Sequence, residues 1–454
     1  MKDLVSQALS LIYLPDSKQH AAVMEAGEGY RGRIPFKPLQ LTFEEQERCQ
    51  ELTLQLLDRT LRSYDERDVT TRGSPRHHST LDSARWKRHK TQSNASLYSE
   101  RHHIGRRDLN MPGDNWENPA VLLAVGTIQA SLDDVMLGLT TQTFGDLRVL
   151  AASIASHDVS GATLAKLSGP TAEDPYQNLS VMWMVGEQGW PLSMIVRPRD
   201  FINLSASGII TRANGDRIGY DLVQPAQLPQ LPELPKPMTR GKLMYGALYK
   251  EQDGTVDVYI QVYVETMGHI LDTIVMNAMW IAVLGFWEAP RLAEEKKLQW
   301  CILNRIKDPT NRQRRAMTGS VDLSLCGVCK DKLRRHSRSK DGEPSANKTC
   351  TICGAFLCSK CRVKRSFKEL TGRSKGPPTR SVHVVVCSVC LTLVNQHSAT
   401  EVAWQQSQQR LQPESDDADS GRTTWGLLDD AITPSWTPGR YFSISDASFN
   451  FSDK

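Results

Sequence analysis

The most regular pattern in the chain lies between residues 242 and 264. Val256, Val258, Ile260, Val262 and Val264 share one parity, and Asp257, Tyr259, Gln261 and Tyr263 the other. Strict alternation predicts a half-buried antiparallel strand. Residues 242–249 predict its partner, and Gln252-Asp253-Gly254-Thr255 supplies the Asp-Gly pair of a tight hairpin turn. Further strands are predicted at 121–128, from Val181 through Trp183 and Val185, within 191–210, and at 217–223. A short helix is predicted at 132–139. Thr42 and Glu45 have the spacing of a capping box, and Leu52, Leu56, Leu57 and Leu61 follow at helical spacing. A long helix is predicted from about 267 to 300, with a break at Pro290. Its apolar residues surround most of the circumference, so it should be buried against the sheet.

Between these patterned stretches lie unpatterned ones. Residues 69–107 are polar and basic, with Arg76-His77-His78 and Lys87-Arg88-His89-Lys90, and read as a flexible insert. Residues 398–454 are rich in Gln, Ser and Asp; Trp425, Trp436 and Phe442 are too scattered for a core, so a disordered acidic tail is expected. The organisation is then an N-terminal segment (1–40), an amphipathic helix (41–68) that starts the main domain, the insert (69–107), the main domain (108–310), a cysteine-rich module (320–397) and the tail (398–454).

Composition adds one asymmetry. The 454 residues carry a net charge of +4, but residues 326–390 hold 15 Lys and Arg against 4 Asp and Glu, or +11. Residues 391–454 hold 4 against 9, or −5, and the remainder 36 against 38, or −2. The cysteine-rich module is therefore the part that should meet an anion. The apolar run 8–14 is short and interrupted, a poor signal or transit peptide. The run 270–287 contains Asp272 and Asn277 and reads as a buried helix, not a membrane span. A cytoplasmic, reducing setting follows, where cysteine clusters bind metal more often than they form disulfides.

Those cysteines fall as four Cys-x-x-Cys pairs: Cys326 and Cys329, Cys350 and Cys353, Cys358 and Cys361, Cys387 and Cys390. Two intervening residues let a tight turn aim both thiolates at one ion, and four thiolates complete a closed, structural zinc shell. Eight ligands make two zinc sites. A module so poor in apolar residues needs the metal to fold, and each structural zinc can contribute on the order of 10 kcal/mol. Two zinc ions and eight thiolates would leave a charge of roughly +7 on the module. Only Phe367 interleaves the basic run, which argues against nucleic acid as its partner.

The spacing resembles FYVE zinc fingers, through Cys353-Gly354, the four residues between Cys353 and Cys358, and Cys358-Ser359-Lys360-Cys361. The resemblance implies crossed braces: Cys326, Cys329, Cys358 and Cys361 on one zinc, and Cys350, Cys353, Cys387 and Cys390 on the other. It also implies a phosphoinositide-containing endosomal membrane as partner. The family's basic motif around its third cysteine is replaced here by Asn347-Lys348-Thr349-Cys350-Thr351, and its leading Trp-x-x-Asp by Asp322 alone. The headgroup pocket for phosphatidylinositol 3-phosphate thus lacks its histidines and arginines. What remains is a looser attraction of Lys348, Lys360, Arg362, Lys364, Arg365 and Lys368 to an anionic surface.

The stretch from about 118 to 300 resembles START-like lipid-transfer domains, through Arg197-Pro198-Arg199-Asp200-Phe201, Ala206-Ser207-Gly208, the Asp253-Gly254 hairpin and the long helix after it. The resemblance implies an α+β helix-grip fold, a curved antiparallel sheet around a long C-terminal helix, enclosing a tunnel for one lipid. Arg199 and Asp200 would either meet a headgroup there or fix a strand edge. The alternation itself fits a cavity or a filled core equally. No phosphate loop, nucleophile motif or His-Glu-x-x-His occurs. The expected function is non-enzymatic: a lipid held by one domain, with the zinc module docking on a membrane or protein. The alternative is a scaffold or ubiquitin-ligase adaptor with a filled core.

Overall fold

The computed structural model describes residues 34–71, 81–92, 94–101, 116, 119–154, 159–186, 198–236, 238–252, 254–265, 272–307, 325–332, 349–371 and 378–411. Helix α1 (Phe43–Thr71) starts at a reciprocal capping box: Glu45 N donates to Thr42 Oγ1 at 3.2 Å and Thr42 N to Glu45 Oε2 at 2.8 Å. Then follow β1 (Trp86–Gln92), β2 (Ala95–Glu100), β3 (Ala120–Ile128), α2 (Leu132–Leu139), α3 (Phe144–Ile154), β4 (Val159–Ser168), β5 (Asn178–Gly186), β6 (Arg199–Thr211), β7 (Arg217–Pro225), β8 (Thr239–Arg240), β9 (Lys242–Gln252), β10 (Thr255–Glu265), α4 (Asp272–Phe286) and α5 (Ala289–Lys307).

The ten strands form one sheet in the order β1-β2-β3-β10-β9-β7-β6-β5-β4, antiparallel throughout, with β8 added parallel to the start of β6. Both faces are covered. On one, Leu56, Leu57, Leu61 and Tyr64 of α1 pack with Val181, Trp183, Leu204, Tyr220, Leu222 and Leu248. On the other, α2, α4 and α5 pack with Val256, Val258, Ile260 and Val262.

Five sequence expectations change. Strand β10 is buried on both sides from Val256 to Glu265, not half-buried. Its polar parity is matched by polar residues of α1: Tyr64 Oη donates to Asp257 at 2.9 Å, Arg67 pairs with the same carboxylate, and the Arg59 guanidinium lies 5.3 Å from the Tyr263 ring centre. The long apolar helix is two helices, and the break precedes Pro290. Trp287 and Glu288 form the turn, and Pro290 sits in the first turn of α5, where its missing N–H costs nothing. Helix α4 is not buried all round: Trp280 and Val283 face inward while Asn277, Ala278, Ala282 and Ile281, 51% exposed, face out.

The segment 69–107 is not simply a flexible insert. Helix α1 continues into it, and the β1–β2 hairpin forms an edge of the sheet, burying Trp86, Ala95, Leu97 and Tyr98. The basic residues sit on the outermost strand, where Lys87, Arg88 and His89 are exposed and discourage edge-to-edge pairing. Likewise, order does not end at Ser398: α7 (Ala399–Leu411) buries Ala399, Val402 and Ala403 against α2 and α5. Helix α3 and strand β4 have no counterpart in the sequence reading.

The cysteine-rich module is built on a two-stranded sheet, β11 (Arg362–Leu370) with β12 (Thr379–Cys387), followed by α6 (Ser388–Gln396). Its core joins Leu357, Phe367, Val386 and Val394 to Leu298 of α5. Polar contacts fix it there: Arg365 pairs with Glu294 at 2.6 Å, and Gln299 Nε2 donates to Lys368 O at 3.1 Å. Among the described residues, no helix is long and apolar enough to cross a membrane.

Candidate functional site

The first two cysteine pairs fold into matching turns. Lys330 N donates to Cys326 O at 3.0 Å and Gly354 N to Cys350 O at 2.8 Å; each turn is closed by an isolated bridge, Leu325 with Lys332 and Thr349 with Phe356. The residue after each second cysteine has positive φ, 62° at Lys330 and 72° at Gly354. The third pair precedes β11, and the fourth lies at the junction of β12 and α6.

These elements gather the eight cysteines into two groups of four. Cys326, Cys329, Cys358 and Cys361 form one and Cys350, Cys353, Cys387 and Cys390 the other, with the sulfurs of each within 4.8 Å of one another. The sulfurs of Cys329 and Cys358 are 3.7 Å apart, and those of Cys353 and Cys387 4.0 Å. Those separations are too long for disulfides and match the edge of about 3.8 Å in a tetrahedron with Zn–S bonds of about 2.3 Å. Backbone N–H groups point at the sulfurs: Cys358 N at Cys326 Sγ (3.4 Å), Cys387 N at Cys350 Sγ (3.4 Å) and Cys390 N at Cys387 Sγ (3.3 Å). At Cys326 burial disfavours the thiolate, but the N–H groups of Cys358, Cys329 and Val328 outweigh it and bring the thiol down to about 6. The donor set fits zinc, and each group can hold one ion in a closed, structural shell.

The second site lies beneath α2 and α4. Along β5, β6, β7 and β9 one parity faces α1 and the other faces these helices. The helix-facing parity is apolar on β3 and β10 and mixed on β5 to β7, where Asn178 and Ser180, then Asn203, Ser205 and Ser207, then Asp221 stand in line with Met182, Ile209 and Val223. Strand β9 adds Tyr245 and Tyr249. Most are buried: Tyr249 and Ser180 are 0% exposed, Asn178 1% and Asn203 3%. Several are unsatisfied, since Tyr249 Oη, Asn178 Oδ1 and Asn203 Oδ1 have no hydrogen-bond partner among the described residues. A cavity of about 10 Å³, room for one water, lies between Ser205, Ser207, Asp221 and Tyr249 on the sheet and Met136, Leu139, Thr140 and Thr141 above. Tyr245 Oη donates to Asp221 Oδ2 at 3.1 Å, and desolvation pushes the Asp221 carboxyl up to about 7.

The sequence-derived contact residues separate. Asp200 is fully buried on the α1 side of the sheet, where Trp183 Nε1 (3.2 Å) and Arg240 Nε (3.0 Å) donate to its carboxylate and tie β8 to β6. It belongs to a strand edge, not the chamber. Arg199 is half-buried at the start of β6, opposite Gly186 and six residues from Ser205. Lys360 and Lys364 are exposed, whereas Arg362 and Lys368 are half-buried and Arg365 is engaged by Glu294. Lys348 lies outside the described residues, as do Asp322, Asp253, the His77-His78 pair and the tail beyond Leu411. Asp133 and Asp134 pair with Arg217 and Lys297. The chamber's polar residues were missed by sequence reasoning; their signal was the Asn-x-Ser-x-Ser parity of β6.

No family model matches the chain, and no curated protein matches it. Solved structures similar to it include human StAR-related lipid transfer protein 5, at 15% identity and TM-score 0.35, covering 53% of this chain and 98% of that one. Human STARD10 is similar at 12% identity and TM-score 0.31, covering 46% and 74%. A fragment of the STAR-related lipid transfer protein from Xanthomonas axonopodis is similar at 15% identity and TM-score 0.27, covering 46% and 94%.

Proposed function

We propose that the chain is a non-enzymatic lipid-binding protein whose chamber takes one lipid and whose zinc module docks on an anionic membrane surface. The observation that carries this reading is the divided floor of the chamber. Apolar β3 and β10 lead through β9 to β5–β7, whose same face sets Asn178, Ser180, Asn203, Ser205, Ser207 and Asp221 among apolar residues, and buried polar atoms there have no partner among the described residues. A filled core would not leave Tyr249, Asn178 and Asn203 unsatisfied, because each such atom costs about 1–3 kcal/mol. An amphipathic ligand satisfies them while covering the apolar half.

A lipid is far larger than the present cavity, so uptake requires α4 and the α2–α3 connection to move off the sheet. Helix α4 carries the exposed apolar Ile281 on its outer face and faces inward with Trp280 and Val283, with Met276, Met279, Leu284 and Phe286 packed beside them. The zinc module supplies attraction to an anionic surface through Lys360, Arg362, Lys364 and Lys368, at about 1 kcal/mol per base near the surface. Two zinc ions hold its fold.

Native mass spectrometry of the full-length protein, after incubation with vesicles of phosphatidylcholine, phosphatidylserine, diacylglycerol and cholesterol, tests the reading. Two zinc ions and one dissociable lipid mass are expected. Two zinc ions with no lipid would sink lipid binding and leave the scaffold or ubiquitin-ligase adaptor reading.

A further inference from the structure

We infer that the chamber selects a lipid whose headgroup is uncharged and carries a hydroxyl, and that it excludes phosphate-bearing headgroups. The inference rests on the lipid-binding reading above. It comes from which polar groups line the chamber and which do not. The floor offers the hydroxyls of Ser205, Ser207 and Tyr249 and the carboxyl of Asp221, and the cover offers Thr140 and Thr141. None of the described residues lining the cavity is a lysine or arginine.

A buried phosphate needs several charge-assisted donors. Here it would meet the one acidic side chain of the cavity. Two cations, Lys296 and Arg410, line an adjoining cavity that shares Thr140, and both are committed. Lys296 lies behind α2, where its ammonium donates to Leu137 O at 2.7 Å and Thr140 O at 2.9 Å. Arg410 makes a two-point pair with Asp146 at 2.7 and 2.8 Å. Arg199 is six residues along β6 from Ser205, or roughly 20 Å at strand rise.

A hydroxyl fits what is present. Tyr249 Oη can both donate and accept, is 0% exposed and has no partner among the described residues. Asp221 accepts from Tyr245 through Oδ2. Facing it are the aromatic hydroxyls of Tyr245 and Tyr249 from β9, Ser205 and Ser207 from β6, and the apolar Met136 and Leu139 from α2. Desolvation raises its carboxyl to about 7, so near neutrality a large share is protonated and able to donate to a lipid oxygen.

The test uses the full-length, zinc-loaded protein and vesicles holding equal amounts of dioleoylglycerol, cholesterol, dioleoylphosphatidylcholine and dioleoylphosphatidic acid. Bound lipid is read by native mass spectrometry. Hydroxyl-headed lipids should be captured at least tenfold over either phosphate lipid. Tyr249→Phe removes a hydroxyl with no partner among the described residues, so folding and zinc content should persist while capture falls at least fivefold. Equal or preferential capture of a phosphate lipid overturns the inference and leaves lipid binding standing. Unchanged capture by folded Tyr249→Phe also overturns it. Capture of no lipid removes the lipid reading itself.

Discussion

Lys330 carries a left-handed backbone, φ 62°, at the position where the second knuckle has Gly354. For a residue with a Cβ that conformation costs about 1–2 kcal/mol, partly offset because glycine has more chain entropy to lose. Lys330→Gly should therefore stabilise the module by about 0.5–1 kcal/mol, read as a higher denaturant midpoint of the zinc-loaded protein. Asp221 gives a second, pH-dependent expectation. Its folded carboxyl is raised to about 7 by desolvation, above the ordinary unfolded value of about 3.9. Protonation is thus favoured in the folded state, and the associated stability is lost as pH rises from about 4 through about 7. Asp221→Asn should accordingly show a growing stability advantage over the parent across that window and a constant one above it. Urea titrations at pH 4.5, 6 and 8 measure this; a pH-independent difference would contradict the raised carboxyl. At this scale the cysteines were the most legible residues, because ligand chemistry fixes their spacing. Of the two roles left open for Asp200, its contacts fit the strand edge, and Ile202, Leu204 and Ala206 share its parity and mark the α1 face. Asn203, Ser205 and Ser207 have the parity of a solvent-facing strand side, and helices cover them instead.

Elements were legible where a single period dominated. The β9–β10 hairpin and α2 match their patterns because alternation, turn chemistry and helical spacing agree there. Helix α7 was invisible for a physical reason. Its buried stripe is Ala399, Val402 and Ala403, small side chains that allow close helix approach but contribute little hydrophobic signal amid glutamines. The helix is anchored at its far end by Arg410 on Asp146, and near its start Tyr176 Oη lies 3.5 Å from Thr400 Oγ1. Burial pulls against the Asp146 carboxylate, but the Arg410 and Lys296 charges keep it below its ordinary value. Val402 is 0% exposed, so Val402→Asp places an unpaired carboxylate between α7 and its neighbours. A loss of about 3 kcal/mol or more is expected. Hydrogen exchange should then show faster exchange in α2 and α5, whereas exposed Glu401→Ala should leave both protected.

At the scale of the whole molecule, the zinc module interrupts the domain it is docked on. The chain leaves through α5, builds both cysteine groups, and returns as α7 to cover α2. Helix α2 in turn supplies Met136 and Leu139 to the chamber. Three elements hold this arrangement: β11 through Arg365 on Glu294, α6 through Asn395 on Lys297 and Glu294, and α7 through Arg410 on Asp146. The metal therefore bears on the chamber through connectivity as well as contact. Removing zinc leaves eight thiols and a core with few large apolar residues, which cannot by itself hold β12 and α6 in place. The α7 helix would then be tethered through an unfolded segment, and the effective concentration that holds it on α2 would fall. Chelation with phenanthroline, or Cys350→Ser, should thus increase exchange not only in residues 349–396 but also in α7 and α2, and should weaken lipid retention. The β1–β2–β3 side of the sheet, remote from these contacts, should stay protected. If α7 and α2 exchange as slowly without zinc as with it, the two modules are energetically separate, and the contacts across Glu294 and Asp146 are packing without coupling.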